Sequence, residues 1–175
     1  PFPPNSDVIV TTTITDVADK VKGALLSVSS TRAAPNGDVY SINTSRIFIR
    51  GIGGFGFKGK NPADSMPHPP SRAPGSPVTA ATQPNQAIIY RLCSDKNPLH
   101  IAPDMAAMGG FDRPILHGLC FFGFASRAVL KEFCANDVTQ FKKVSVRFTS
   151  HVFPGDTLIT EMWREGNTVV FTQKT

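Results

Sequence analysis

Apolar positions in this chain change period at about the middle. Val8 to Thr15 is rich in β-branched residues, Ala24 to Arg32 carries Leu25, Leu26 and Val28, and Val39 to Arg50 alternates through Tyr40, Ile42, Ile47 and Ile49. Each stretch reads as a strand. Ala34-Pro35-Asn36-Gly37-Asp38 supplies residues that tolerate φ > 0, as a hairpin turn requires, so an antiparallel meander of three strands is expected.

After residue 85 the spacing becomes helical. Asn85 to Leu92 fits a short helix, and Pro103 to Met108 fits one or two turns stopped by Gly109-Gly110. Pro114 to Phe133 is expected as a long helix burying the face through 115, 119, 122, 126, 129 and 133. Three strands should follow, Val144 to Phe153, Thr157 to Arg164 and Thr168 to Lys174. Pro154-Gly155-Asp156 and Glu165-Gly166-Asn167 provide the turns that separate the three. Between the two patterns, Lys58 to Pro84 holds seven prolines and almost no bulky apolar residue, the composition of a connector. The expected organisation is strands in 1–57, a Pro-rich linker in 58–84, and helices with strands in 85–175. Helices packed on antiparallel sheet make an α+β fold.

Composition narrows the partners. At 175 residues the chain is long enough for one domain with a real core or for two half-sized units. A net charge of +5 and a pI near 9.3 favour anionic partners, but Lys and Arg are scattered. A nucleic-acid reading lacks a basic helix or zinc-finger spacing, and no apolar run reaches the roughly 20 residues of a membrane span. Cys93, Cys120 and Cys134 are odd in number and sit among apolar residues, which suits free thiols in an intracellular, reducing compartment.

Gly51-Ile52-Gly53-Gly54-Phe55-Gly56 matches a dinucleotide-binding G-x-G-x-x-G and follows a strand. Such a motif must open a helix, whereas Phe57-Lys58-Gly59-Lys60-Asn61-Pro62 follows here. The glycines are expected to bend a strand end closely against its neighbours.

The candidate chemistry lies between the short and long helices. Asp95-x-Asn97-Pro98-Leu99-His100 offers a carboxylate, an amide and an imidazole on a segment that Pro98 bends. An acid and an imidazole so placed can hold a water and move its proton either way. The alternative is structural: Asp95 caps the turn, Asn97 forms an Asx-turn and His100 is a satisfied half-buried histidine. Gly118, near the long helix's start, either lets an oxyanion approach the unpaired N–H groups there or packs closely on a neighbour. His117 reads as a buried hydrogen-bonding residue, since histidines 68, 100, 117 and 151 lack paired metal-ligand spacing.

Tyr90-Arg91-Leu92-x-x-Asp95-x-Asn97-Pro98-Leu99-His100-Ile101-x-Pro103, followed by Gly110-Phe111-Asp112-x-Pro114-Ile115-Leu116-His117-Gly118-Leu119, closely resembles the hydratase motif of the MaoC-like hot-dog family. The likeness is strongest to its enoyl-CoA hydratase 2 branch. It continues through Gly53-Gly54-Phe55-Gly56, Phe153-Pro154-Gly155-Asp156-Thr157-Leu158 and Glu161-Met162-Trp163. The resemblance implies a double hot-dog fold, with the N-terminal half incomplete and lacking a helix of its own. It implies hydration of trans-2-enoyl-CoA to (3R)-3-hydroxyacyl-CoA in peroxisomal β-oxidation, with no cofactor or metal because the coenzyme A thioester is the substrate. Asp95 and His100 would handle the water's protons, Asn97 would orient the water, and the Gly118 N–H would bind the thioester oxygen. His117 and Arg147 would contact substrate.

Alternatives are a non-catalytic acyl-CoA-binding or assembly module, and a dehydratase acting on acyl carrier protein. The resemblance also implies that the chain starts within the N-terminal half and stops in the penultimate strand. Self-association, or membership of a larger multifunctional chain, is expected from that. Gln173-Lys174-Thr175 is not an S-K-L-type peroxisomal address. The family usually has Gly before the catalytic Asp, where this chain has Ser94.

Overall fold

The computed structural model describes residues 5–60, 67–75, 77–93 and 95–175. The chain divides into two compact units, residues 1–65 and 66–175.

The first unit is the expected meander, β1 (Ile9–Asp19), β2 (Gly23–Ala33) and β3 (Val39–Arg50), antiparallel throughout. Ala34 and Gly37 close the β2–β3 turn, with Gly37 at φ 94°. The β1–β2 register shifts between Ile14 and Asp16, and beyond that bulge Asp16 and Ala18 become buried. No helix lies in this unit among the described residues, and Ile9, Ile14, Val39 and Ile42 are each more than half exposed.

The Gly-rich run after β3 opens no helix and folds around Asp19 instead. The Asp19 carboxylate accepts the N–H groups of Val21 at 2.7 Å, Gly54 at 3.0 Å and Gly56 at 2.5 Å. Those donors, Gly56 first, hold its pKa below the ordinary carboxylate value. At Gly53 a Cβ would fall 2.1 Å from the Val21 carbonyl oxygen, so glycine is required there.

The second unit pairs β4 (Val78–Ala81) with β5 (Thr157–Glu165) and β5 with β6 (Thr168–Lys174). β4 lies inside the Pro-rich stretch. Its neighbours are anchored too: the Gly75 N–H donates to the Met162 carbonyl, and Trp163 Nε1 donates to the Arg72 carbonyl. Residues 61–66 and 76 of that stretch lie outside the described residues.

Helices α1 (Gln86–Arg91) and α2 (Pro103–Met108) fall where the sequence places them, with a 3-10 turn, Pro98–His100, between them. The long helix α3 (Gly118–Cys134) packs on β5 and β6. It begins four residues later than expected. The Leu116 N–H donates to the Val152 carbonyl at 2.7 Å and His117 is extended at ψ 130°, which holds 114–117 out of the helix.

The buried face of α3 also differs from expectation. It runs through Cys120, Ala125, Ala128 and Val129, while Leu119 is 60% exposed. Small residues bring the helix close to the sheet, and larger ones pack from its flanks. Leu116, Cys120, Val152, Leu158 and Ala87 form one core, flanked by Tyr90, Phe121 and Phe124. Ala128, Val129 and Met162 form a second. Alternate β5 residues Leu158, Thr160 and Met162 are buried, as one face of a strand should be.

The strand expected at Val144 to Phe153 does not form. The alternating side chains are present, but no described segment offers them a ladder, and a strand exists only through its pairing.

Candidate active site

Between α1 and α2 the chain turns on its own side chains. Asp95 Oδ1 accepts the Asn97 N–H at 3.0 Å, Asn97 Oδ1 accepts the Leu99 N–H at 3.1 Å, and Pro98 starts the 3-10 turn. These Asx-type bonds are the structural roles the sequence offered as an alternative. They also stiffen the loop and leave the other Asp95 oxygen and the Asn97 amide N–H groups as hydrogen-bonding capacity.

The loop delivers His100 into a buried position, 8% exposed. Its Nδ1 lies 2.8 Å from the Ile115 carbonyl oxygen. A carbonyl only accepts, so Nδ1 carries the hydrogen and Nε2 is left for chemistry. His117, 1% exposed, lies with Nε2 3.1 Å from the Asp95 main-chain carbonyl. Its ring stacks on His100 with centroids 3.8 Å apart, and the Tyr90 ring sits 4.8 Å away on a tilt. Burial first, then the neighbouring His100, pushes the His117 pKa below its ordinary value of 6.5.

A carboxylate oxygen of Asp95 and one ring nitrogen from each histidine lie within 4.8 Å of one another. One nitrogen of each ring is already held by a carbonyl. This is the geometry of a hydrogen-bonding cluster that can hold a water and exchange protons with it.

Gly118 is the first residue of α3, so its N–H has no acceptor within the helix. A Cβ there would come within 3.3 Å of the Phe148 ring, which stands edge-on to Phe121. Glycine therefore has a packing reason as well, although the neighbour is a ring and not a strand.

An open cleft of about 260 Å³ lies beside His100, lined by Pro84, Ala87, Ile88, Ile101, Arg113 and others. Arg113, whose guanidinium sits 4.2 Å over the Phe153 ring, had no role in the sequence reading. It stands next to Pro114 inside the second motif, which was its available signal. Arg147 is exposed on the irregular stretch before Val152 and is not among the residues lining the cleft. Ser94 lies outside the described residues. Cys93, Cys120 and Cys134 are free thiols, and burial raises the pKa of Cys120 to about 11.

Comparison with known proteins adds an independent line. Mouse peroxisomal multifunctional enzyme type 2 is 42% identical over 177 residues, covering 99% of this chain and 24% of that protein. The probable enoyl-CoA hydratase 2 of Dictyostelium discoideum is 47% identical over 165 residues, covering 93% of this chain and 56% of that one. This chain thus spans a quarter to just over half of these relatives. The full-length Drosophila melanogaster multifunctional enzyme type 2 structure superposes with a TM-score of 0.86 at 38% identity, over 99% of this chain and 31% of that one. Antiparallel sheet with few helices is thereby matched to the hot-dog architecture. Residues 65–175 fit the model of the MaoC like domain. That match takes in the whole of the unit that holds Asp95, His100 and His117, and the chain accordingly belongs to the MaoC-like family.

Proposed function

We propose that this chain adds water reversibly to trans-2-enoyl-CoA, giving (3R)-3-hydroxyacyl-CoA. The observation that carries the reading is the approach of the Asp95 carboxylate to the imidazole of His100, which lines the cleft, on a loop stiffened by its own side chains. Hydration of a conjugated thioester needs a held water at the β-carbon, a proton for the α-carbon and a donor for the thioester oxygen.

Asp95 and His100 divide the proton work. One accepts the proton that water releases as its oxygen bonds to the β-carbon, and the other delivers a proton to the α-carbon. The accepted proton recharges the donor before the next turnover. Asn97 orients the water, and the Gly118 N–H meets the thioester oxygen as enolate charge develops. Arg113 stands at the cleft where an anionic part of coenzyme A can reach it, a better-placed cation than Arg147. The names of the relatives support a place in peroxisomal β-oxidation, within a larger multifunctional chain.

The test is the disappearance of the conjugated enoyl thioester absorbance with the unaltered chain, Asp95→Asn and His100→Ala. Both substitutions are expected to lower kcat about 100-fold or more, the usual scale for removing a positioned acid or base. Unchanged turnover in both would overturn the assignment. Acyl-CoA binding without any turnover would instead point to a binding module.

A further inference from the structure

The chemistry proposed above leaves His117 without a task, although it is among the most deeply buried side chains in the molecule. We propose that His117 is a positioning residue for the hydration reaction. Its Nε2–H holds the Asp95 main-chain carbonyl while its ring backs His100, so one imidazole sets the spacing of the two reacting side chains. The inference rests on the hydratase reading.

Hydrogen-bond chemistry fixes the tautomer. The Asp95 carbonyl accepts, so His117 Nε2 must donate across the 3.1 Å contact. Nδ1 then presents a lone pair, and it is buried with no hydrogen-bond partner among the described residues. A buried, unmatched nitrogen is costly, and a Phe or Leu of similar volume would fill the space without that cost. The residue type is explained by the bond it makes on its other nitrogen.

The stacking explains the rest. His100 is held at Nδ1 by the Ile115 carbonyl and on one face by His117, 3.8 Å away. Tyr90 packs against His117 at 4.8 Å. A single side chain thus touches the backbone of one reacting residue and the ring of the other. It must stay neutral, because a second positive charge would oppose proton uptake by His100. Burial acts in that direction. At 1% exposed, His117 has little surface to offer a substrate, so positioning replaces the substrate contact expected from its place in the motif.

Three forms of the 175-residue chain test this: the unaltered chain, His117→Leu and His117→Gln. The Gln amide can reach the Asp95 carbonyl, whereas Leu cannot. His117→Leu is expected to lower kcat about 100-fold, the upper end for losing a supporting hydrogen bond. KM should stay within about twofold, since ground-state binding is untouched. His117→Gln should recover most of the lost kcat. Nitrogen-15 spectra of the unaltered chain should show His117 neutral with hydrogen on Nε2 at pH 7. The His100 Nδ1–H signal should persist in the Gln variant and broaden in the Leu variant.

A raised KM at unchanged kcat, equal losses in Leu and Gln, or hydrogen on His117 Nδ1 would each overturn the proposal. The tautomer is read on the unaltered chain, so a Leu variant that fails to fold still leaves a decision. If the unaltered chain hydrates nothing, the hydratase reading fails. The His117 tautomer and the His100 signal then decide the positioning role alone.

Discussion

β1–β3 and β4–β6 are both three-stranded antiparallel sheets, but they bury very different residues. Leu158 and Met162 of β5 are 1% and 2% exposed, whereas Ile14 of β1 and Ile42 of β3 are 61% and 63% exposed. The difference comes from α3, which lays Ala125, Ala128 and Val129 near the second sheet, while the first unit has no helix among its described residues. An apolar strand pattern creates the demand for a core, and a second layer is needed to satisfy it. The two units also use their aspartates differently. Asp19 spends its carboxylate on three backbone N–H groups and holds a glycine loop. Asp95 takes the Asn97 N–H on one oxygen and faces two imidazoles, so it retains capacity for a water.

The largest stability effect should follow removal of a core side chain from the second unit. Leu116→Ala is expected to cost about 2–5 kcal/mol, the range for a fully buried leucine, measured by denaturant unfolding. A cost below about 1 kcal/mol would break the contrast between the units. Gly118→Ala comes next: its Cβ presses on the Phe148 ring, and a shift at the helix start should lower kcat about 10- to 100-fold. The fold should survive, as circular dichroism can establish.

A third effect is pH-dependent. The folded pKa of His117 lies below its unfolded value of 6.5, so the unfolded chain takes up a proton first as pH falls. Stability contributed by neutral His117 is present in full above about pH 6.5 and is lost progressively below it. His117→Gln should flatten that part of the thermal-midpoint profile. The smallest effect is expected in the first unit, where Ile42→Thr should change stability by no more than about 0.5 kcal/mol. A large loss there would show that the exposed sheet face is covered.

Local signals were read well from the sequence because their causes are local. The β1–β3 meander, α1, α2 and the turns at 154–156 and 165–167 follow from β-branched runs, proline and glycine within a few residues. The site loop was legible for the same reason, since Asp95, Asn97 and His100 lie within one bend and match a specific family motif. Features that depended on distant partners were missed in whole or in part. The α3 face is set by how closely Cys120, Ala125 and Ala128 approach the sheet, so hydrophobicity alone pointed at Leu119. The strand at Val144 to Phe153 carries the right side chains, and its absence reflects pairing. His117 was legible as a buried hydrogen-bonding residue, but its partner was not, because the bond to the Asp95 carbonyl joins residues 22 apart.

The central claim is that the Asp95–His100 cluster hydrates an enoyl thioester. Its most direct test is to incubate the unaltered chain with trans-2-enoyl-CoA and resolve the stereochemistry of the product, with Asp95→Asn in parallel. The account predicts (3R)-3-hydroxyacyl-CoA from the unaltered chain and a loss of about 100-fold or more in the variant. A (3S) product, no product at all, or equal turnover by both forms would contradict it.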